Sequence, residues 1–207
     1  MIAAVIPIKR LCDAKSRLAD RLSAPERAEL VTALLRRTLA VVRASGLVSQ
    51  VALVTPEESL GTDLGVRVLP DGDDLNAGLG AAARWAIGAG ARGLLMLPGD
   101  LPLLQTTDLH ALLSMRAPGI AIAQTGDGGT GALYLVPPDC IQPSFGPGSF
   151  ERHVDLAREA GLPARIVQRA GLTFDLDTPA DLKRSRRLGV DLLPGGGEQR
   201  PSRSRNE

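Results

Sequence analysis

Leu94-Leu95-Met96-Leu97-Pro98-Gly99-Asp100-Leu101-Pro102-Leu103-Leu104 is the stretch whose reading decides the fold. Four apolar residues in a row, after Gly93 and a helical pattern, describe a strand buried on both faces, as parallel sheets require. Pro98-Gly99 ends the run and sets one carboxylate, Asp100, just past the strand. Pro102 lacks an N–H and restricts the residue before it, so the segment leaves the sheet extended. In open α/β sheets ligands bind outside the carboxyl ends of strands, where Asp100 falls. A loop aspartate can also cap a following helix, but by its pattern that helix starts at Thr107 or Asp108. Asp100 has no cap to make there, and a ligand or metal role is the reading adopted.

Outward from this stretch, strand and helix patterns alternate, which predicts an α/β domain with a mostly parallel sheet. Strands are expected at 2–6, 51–54, 66–69, 94–97, 120–123 and 132–136, then near 165–168 and 172–176. Helices are expected at 24–44, 76–89, 107–115, 149–160 and 179–187. The long helix announces itself with Ser23, Pro25 at its first position and Glu26, a capping box. Its apolar residues Ala28, Val31, Leu35, Leu39 and Val42 keep helical spacing. One domain over 1–193 is expected, long enough to bury a core. The tail 194–207, rich in Pro, Gly, Ser and Arg, is expected to be disordered.

Composition removes several classes. Hydrophobic residues make up 44% and aromatics only 2%, so the core must be aliphatic. There is no apolar run of membrane-spanning length and no signal-peptide pattern. Cys12 and Cys140 form no metal or disulfide pattern, and Cys12 reads as incidental rather than nucleophilic. The formal net charge of +1 is matched by the tail alone, so no nucleic-acid footprint is present. A cytoplasmic protein that binds neither membrane nor nucleic acid is expected.

Four places carry chemistry. Pro7 to Leu18 is a long loop after the first strand with Lys9, Arg10, Lys15 and Arg17, opening on the same sheet edge as Asp100. It has neither GxxxxGK[ST] nor GxGxxG. Either it is a solvated basic loop, or its cations neutralise a triphosphate and a departing pyrophosphate. Asn76 suits a helix N-cap or a base or ribose contact, with Gly78 and Gly80 open to close approach. Gly126–Gly131 and Phe145–Ser149 are glycine-rich loops. The second is a plain turn or, with Ser149 as N-cap, an anion site at a helix start. His153, one turn on, is given no role. Asp175 and Asp177, two apart on a strand, point the same way and repel unless protonated or bridged. Thr178 and Asp181 already cap the next helix, which leaves both acids available. Together with Asp100 they could hold Mg²⁺.

The set Pro7-Ile8-Lys9, Ala14-Lys15-Ser16-Arg17-Leu18, Leu75-Asn76, Leu97-Pro98-x-Asp100-Leu101-Pro102, Gly128-Gly129-Thr130, Phe145 to Phe150 and Asp175-Leu176-Asp177-Thr178-Pro179 resembles the guanylyltransferases of coenzyme F420 biosynthesis. These motifs run in the family's order across residues 5 to 182. The resemblance implies a single-domain, Rossmann-like nucleotidyltransferase fold with helices on both faces of the sheet. It also implies transfer of GMP from GTP to phosphoenolpyruvate, 2-phospho-L-lactate or 3-phosphoglycerate, with release of pyrophosphate. By position, Asp100, Asp175 and Asp177 match metal-binding acids, Thr130, Gly146 and Ser149 match phospho-acid contacts, and Lys9, Lys15 and Arg17 fall where related enzymes hold the triphosphate. Asp100, Lys15 and Arg17 are the catalytic candidates, and Asn76 joins the nucleotide-binding set. Gly99 stands where alanine is frequent and Gly131 where asparagine is frequent. The rivals are a molybdopterin-type nucleotidyltransferase, for which a glycine-rich first loop is missing, and an inactive nucleotide-binding regulatory domain, against which all three aspartates stand. A homodimer through paired sheet edges is the one assembly considered.

Overall fold

The apolar runs become strands in the computed structural model, which describes residues 1–192. They are β1 (Ile2–Pro7), β2 (Gln50–Val54), β3 (Arg67–Leu69), β4 (Gly93–Met96), β5 (Gly119–Gln124), β6 (Thr130–Val136) and β7 (Ala164–Ile166). They form one sheet in the order β3-β2-β1-β4-β6-β5-β7. β1 pairs in parallel with both β2 and β4, and β5 with β7, while β6 runs antiparallel between β4 and β5. Six strands therefore run one way. Reversed β6 brings its first residue, Thr130, to the edge where β4 ends, because Leu133 pairs with Met96.

The helices are α1 (Ala24–Ala44), α2 (Glu58–Leu64), α3 (Leu75–Gly88), α4 (Thr106–Leu112), α5 (Ser149–Glu159), α6 (Ala170–Thr173) and α7 (Pro179–Arg187). Alternation along β1 sorts them into two layers. Ala3 and Val5 join a cluster with Leu79 and Ala82 of α3 and Phe150 and Ala157 of α5. Ala4 faces the other way, with Val42 of α1, Leu109 and Leu112 of α4 and Leu172 of α6. Ile6 meets Leu35 and Leu39 of α1 and Leu60 of α2. Aliphatic packing fills both layers, as the shortage of aromatics requires. Among the described residues no helix is long and apolar enough to cross a membrane.

Two expectations fail locally. Residues 172–176 are not a strand: the chain turns through α6 and then runs extended, outside the sheet. Gly171 permits that turn, since a Cβ there would strike the Asp108 carboxylate. Helix α2 has no counterpart in the expected elements because Gly61 interrupts a short polar run. A side chain at 61 would collide with Val68 of β3, so packing against the sheet edge selects glycine over helix propensity. The expected tail, 194–207, lies outside the described residues.

The alternation expected at 174–177 survives without the strand. Phe174 and Leu176 are buried while Asp175 and Asp177 reach the surface. Leu176 packs with Leu18, Leu22, Leu30 and Leu34 in a small cluster of its own. Truncation by Leu176→Ala should cost about 3 kcal/mol, read from urea denaturation, because the surrounding residues are fixed by helix and loop and cannot collapse into the space.

Candidate active site

The loop after β1 is built to turn a lysine inward. It forms two single 3₁₀ turns, Leu11–Asp13 and Ser16–Leu18. Arg27 of α1 straps it by donating to the carbonyls of Ala14 at 3.2 Å and Leu22 at 3.0 Å. Leu18 is fully buried and anchors the end of the loop. Between the turns Lys15 adopts a left-handed backbone with φ of 53°, a conformation that costs a β-carbon residue roughly 1 kcal/mol or more.

What holds Lys15 there is a pair of carboxylates. Its ammonium donates to Asp100 and, at 2.6 Å, to Oδ1 of Asp177, with only 6% of the side chain exposed. Burial alone would pull the lysine pKa down. Asp100 and then Asp177 more than offset that, leaving it above its usual value. Asp100 is fixed in turn from α1, where Arg37 donates to the Pro102 carbonyl at 2.7 Å and Thr38 to the Gly99 carbonyl at 3.4 Å. The Leu176 N–H donates to the Asp100 carbonyl at 3.2 Å, which sets Asp175 and Asp177 on either side of it in the chain. Asp181, capping α7 through Thr178, also accepts from the Asp177 N–H at 3.2 Å.

Asp175 carries the electrostatic signature of this gathering. Burial, then Asp100, then Asp177 push its carboxyl above the ordinary range, and Lys15 opposes them. Two carboxylates hold the buried ammonium and a third, Asp175, lies within electrostatic reach, an oxygen-rich set short of positive charge whose chemistry suits a divalent cation such as Mg²⁺. Among the described residues no three acidic, histidine or cysteine side chains are already drawn close enough to hold a metal. The Lys15 ammonium stands between Asp100 and Asp177.

Arg17 lies 4.0 Å from Asp177 with 74% of its side chain exposed, and its charge reaches Asp127 on the Gly126–Gly131 loop. Lys15, Arg17, Asp100 and Asp177 line a hollow of about 390 Å³. A second hollow, about 320 Å³ and more apolar, is walled by Val54, Asp71 to Leu75, Met96 and Phe145. Lys9 and Pro98 border both, so the two form one cleft over the ends of β1, β2 and β4.

Asn76 is not the N-cap; Asp74 is, accepting from the Ala77 N–H at 2.8 Å. The Asn76 amide instead clamps Phe145, donating to its carbonyl at 3.1 Å and accepting from its N–H at 2.7 Å. Nor does Gly78 admit a ligand: its missing side chain is filled by the Asp71 backbone. Ser149 is likewise not a cap. Gly148, with φ of 68°, precedes α5, and the Ser149 and Phe150 N–H groups donate to the carbonyls of Gly146 at 3.0 Å and Gly128 at 3.3 Å. The second of those bonds ties the two glycine-rich loops together. The Ser149 hydroxyl donates to Thr130 Oγ1 at 3.0 Å, so Thr130, Gly146 and Ser149 do meet.

His153 was given no role by its sequence, yet it is fully buried beneath this junction, 3.0 Å from Thr130 Oγ1 and accepting from the Ser144 N–H at 2.9 Å. Its spacing from Ser149 and Ala157 places it on the inward face of α5, a signal that the periodicity contained. Burial, then the Arg152 charge, lower its pKa to about 4, against a weaker opposing bond to the Ser149 backbone.

An acidic corner beside the cations of the loop after β1, in a cleft over the strand ends, is an arrangement suited to nucleotidyl transfer. Residues 2–186 match the family described as Guanylyl transferase CofC like. The phosphoenolpyruvate guanylyltransferase of Sphaerobacter thermophilus is 43% identical over 186 residues, 87% of this chain and 90% of that protein. The enzyme of the same name from Rubrobacter xylanophilus is 39% identical across 98% of this chain and 99% of its own. The chain belongs to the CofC-like guanylyltransferase family and is an enzyme of that class. Solved structures agree on the fold. A nucleotidyl transferase from Methanothermobacter thermautotrophicus superposes with TM-score 0.63 at 21% identity, over 91% of this chain and 97% of that one. The 4-diphosphocytidyl-2C-methyl-D-erythritol synthase of Anaerococcus prevotii gives TM-score 0.64 at 11% identity, with the same shares covered.

Two outcomes follow from the electrostatics. The unfolded chain protonates His153 near pH 6.5 and the fold does so only near 4, so this ring stabilises the fold above that window. Stability from this source is lost as pH falls through it, by about 3 kcal/mol at most, and urea denaturation at pH 7.5 and 4.5 should show a shallower loss for His153→Asn. Asp175 has the opposite sign: its raised pKa means the charged form weakens the fold as pH rises. Asp175→Asn should therefore raise Tm at neutral pH while cutting turnover at least about a hundredfold.

Proposed function

We propose that this enzyme transfers GMP from GTP to the phosphate of phosphoenolpyruvate, releasing pyrophosphate, as a cytoplasmic step of coenzyme F420 biosynthesis. The observation that carries the reading is the buried Lys15 ammonium held by Asp100 and Asp177, with Asp175 beside them, at the mouth of a cleft bordered by Lys9 and Arg17. The substrate follows the names of the relatives and the motifs at Thr130 and Gly146–Ser149.

A phosphate oxygen of the acceptor attacks the α-phosphorus of GTP in line. One P–O bond forms, the bond from the α-phosphorus to the bridging oxygen breaks, and pyrophosphate leaves with the electron pair. An ionised phosphate is already a nucleophile, so no protein group need be covalently engaged. Positioning and charge neutralisation remain as the protein's work. Lys15, turned from the carboxylates toward the β- and γ-phosphates, and Arg17 would gather the leaving charge, with Lys9 at the bend of the cleft. Asp100, Asp175 and Asp177 would hold Mg²⁺, which when bound neutralises phosphate charge and orients the oxygens around the α-phosphorus. The apolar hollow against Phe145 suits the guanine ring, and Asn76 serves it by fixing Phe145. Thr130, Gly146 and Ser149 would hold the acceptor next to Arg17.

Pyrophosphate release, followed by a coupled phosphate assay with GTP, Mg²⁺ and each of phosphoenolpyruvate, 2-phospho-L-lactate and 3-phosphoglycerate, tests this directly. Release with phosphoenolpyruvate, abolished by EDTA, is the expected outcome; no release with any of the three would refute it. Lys15→Ala should lower kcat at least about a hundredfold.

A further inference from the structure

Hydrogen-bond accounting at the buried junction of the two glycine-rich loops determines where one proton points. The Ser144 N–H can only donate, so Nε2 of His153, 2.9 Å away, must carry a lone pair. In a neutral imidazole the proton then sits on Nδ1, which faces Thr130 Oγ1 at 3.0 Å and donates to it, with the Ser149 carbonyl one turn back as a weaker second neighbour. The Ser149 hydroxyl donates to the same oxygen at 3.0 Å. A threonine hydroxyl has two acceptor sites and one proton. With those two bonds both acceptor sites are filled from beneath, and 8% of Thr130 stays exposed. We propose that His153 is a positioning residue for acceptor binding: its Nδ1–H, together with the Ser149 hydroxyl, compels Thr130 to aim its own O–H outward as a donor to an anionic group of the phosphorylated acid.

The surroundings hold the ring in that role. The Phe145 ring meets it edge-on with centroids 5.0 Å apart. Arg152 binds Ser144 Oγ at 3.1 Å, the Ser144 carbonyl at 3.0 Å and the Pro147 carbonyl at 2.5 Å, which fixes the peptide that sits on Nε2. The nearby guanidinium and the buried setting both keep the imidazole neutral, and only a neutral ring can accept from Ser144 while donating to Thr130. The inference rests on the reading of Thr130 and Ser149 as acceptor contacts.

The test has two arms. Long-range ¹H–¹⁵N correlation spectra of the wild-type protein report the tautomer, and with His110 and His153 the only histidines, assignment is simple. An Nδ1-protonated ring that does not titrate between pH 5.5 and 8 is expected; an Nε2-protonated ring overturns the proposal whether or not the enzyme turns over. In the second arm, steady-state pyrophosphate release is measured with phosphoenolpyruvate and GTP. His153→Gln can keep the acceptor for Ser144 but loses the donor to Thr130, and should raise the KM for phosphoenolpyruvate about tenfold, with the KM for GTP unchanged. His153→Asn can keep a donor at the Nδ1 position and should restore most of that affinity. Adding His153→Gln to Thr130→Val should cost nothing further, since the hydroxyl it orients is gone. An equal rise in the GTP KM, or a full additional loss in the double variant, would show a merely structural role and overturn the proposal. A wild-type enzyme idle with phosphoenolpyruvate would defeat the substrate reading, and the tautomer would still decide the wiring.

Discussion

One backbone hydrogen bond, from the Leu176 N–H to the Asp100 carbonyl, joins two parts of the chain that the proposed reaction needs together. Unaided it would be a poor investment of free energy, because it gathers Asp100, Asp175 and Asp177 in a half-buried corner where like charges repel. Two things offset that repulsion. Leu176 buries itself with Leu18, Leu22, Leu30 and Leu34, and Leu18 belongs to the same loop that delivers Lys15. The lysine then bridges two of the three acids. Packing and charge are thus coupled: the apolar contact that closes the corner also carries in its counter-ion. The left-handed backbone at Lys15 is strain held in place by that coupling.

Much of this was legible in the residues themselves. The order of the seven strands and of the five expected helices, the capping boxes at Ser23 and Thr178, and the place of Asp100 just past β4 follow from local rules that tertiary structure left intact. The reversal of β6 was not legible, because alternation says nothing of direction. The fate of 172–176 was hidden for a different reason. Thr173-Phe174 has strand composition, but Gly171 allows the chain to turn beneath Asp108 before any edge is available to pair with. Lys15 was visible as a cation, and its burial was not: that depends on acids eighty-five and one hundred and sixty-two residues away.

Asn76 and His153 make structural contacts that their sequence did not announce. Asn76 has the composition of a cap and serves as a clamp on Phe145; His153 looks like an ordinary helical histidine and is wired under Thr130. The two glycines that depart from the family's usual residues also have local explanations. A Cβ at 99 would press on Ile8 and Ile6, so the bulk withheld there is supplied by neighbouring isoleucines. A Cβ at 131 would overlap the Leu172 carbonyl, so glycine beside Thr130 is tied to the close approach of α6.

The corner formed by Asp100, Asp175 and Asp177 is the claim on which the rest turns, and anomalous diffraction from crystals grown with GTP and Mn²⁺ reads it most directly. A manganese peak bonded to these carboxylates, with the Lys15 ammonium moved from between Asp100 and Asp177 to the phosphates, is the result required. A metal bound elsewhere, with Lys15 still bridging the two acids while GTP is in place, would contradict it.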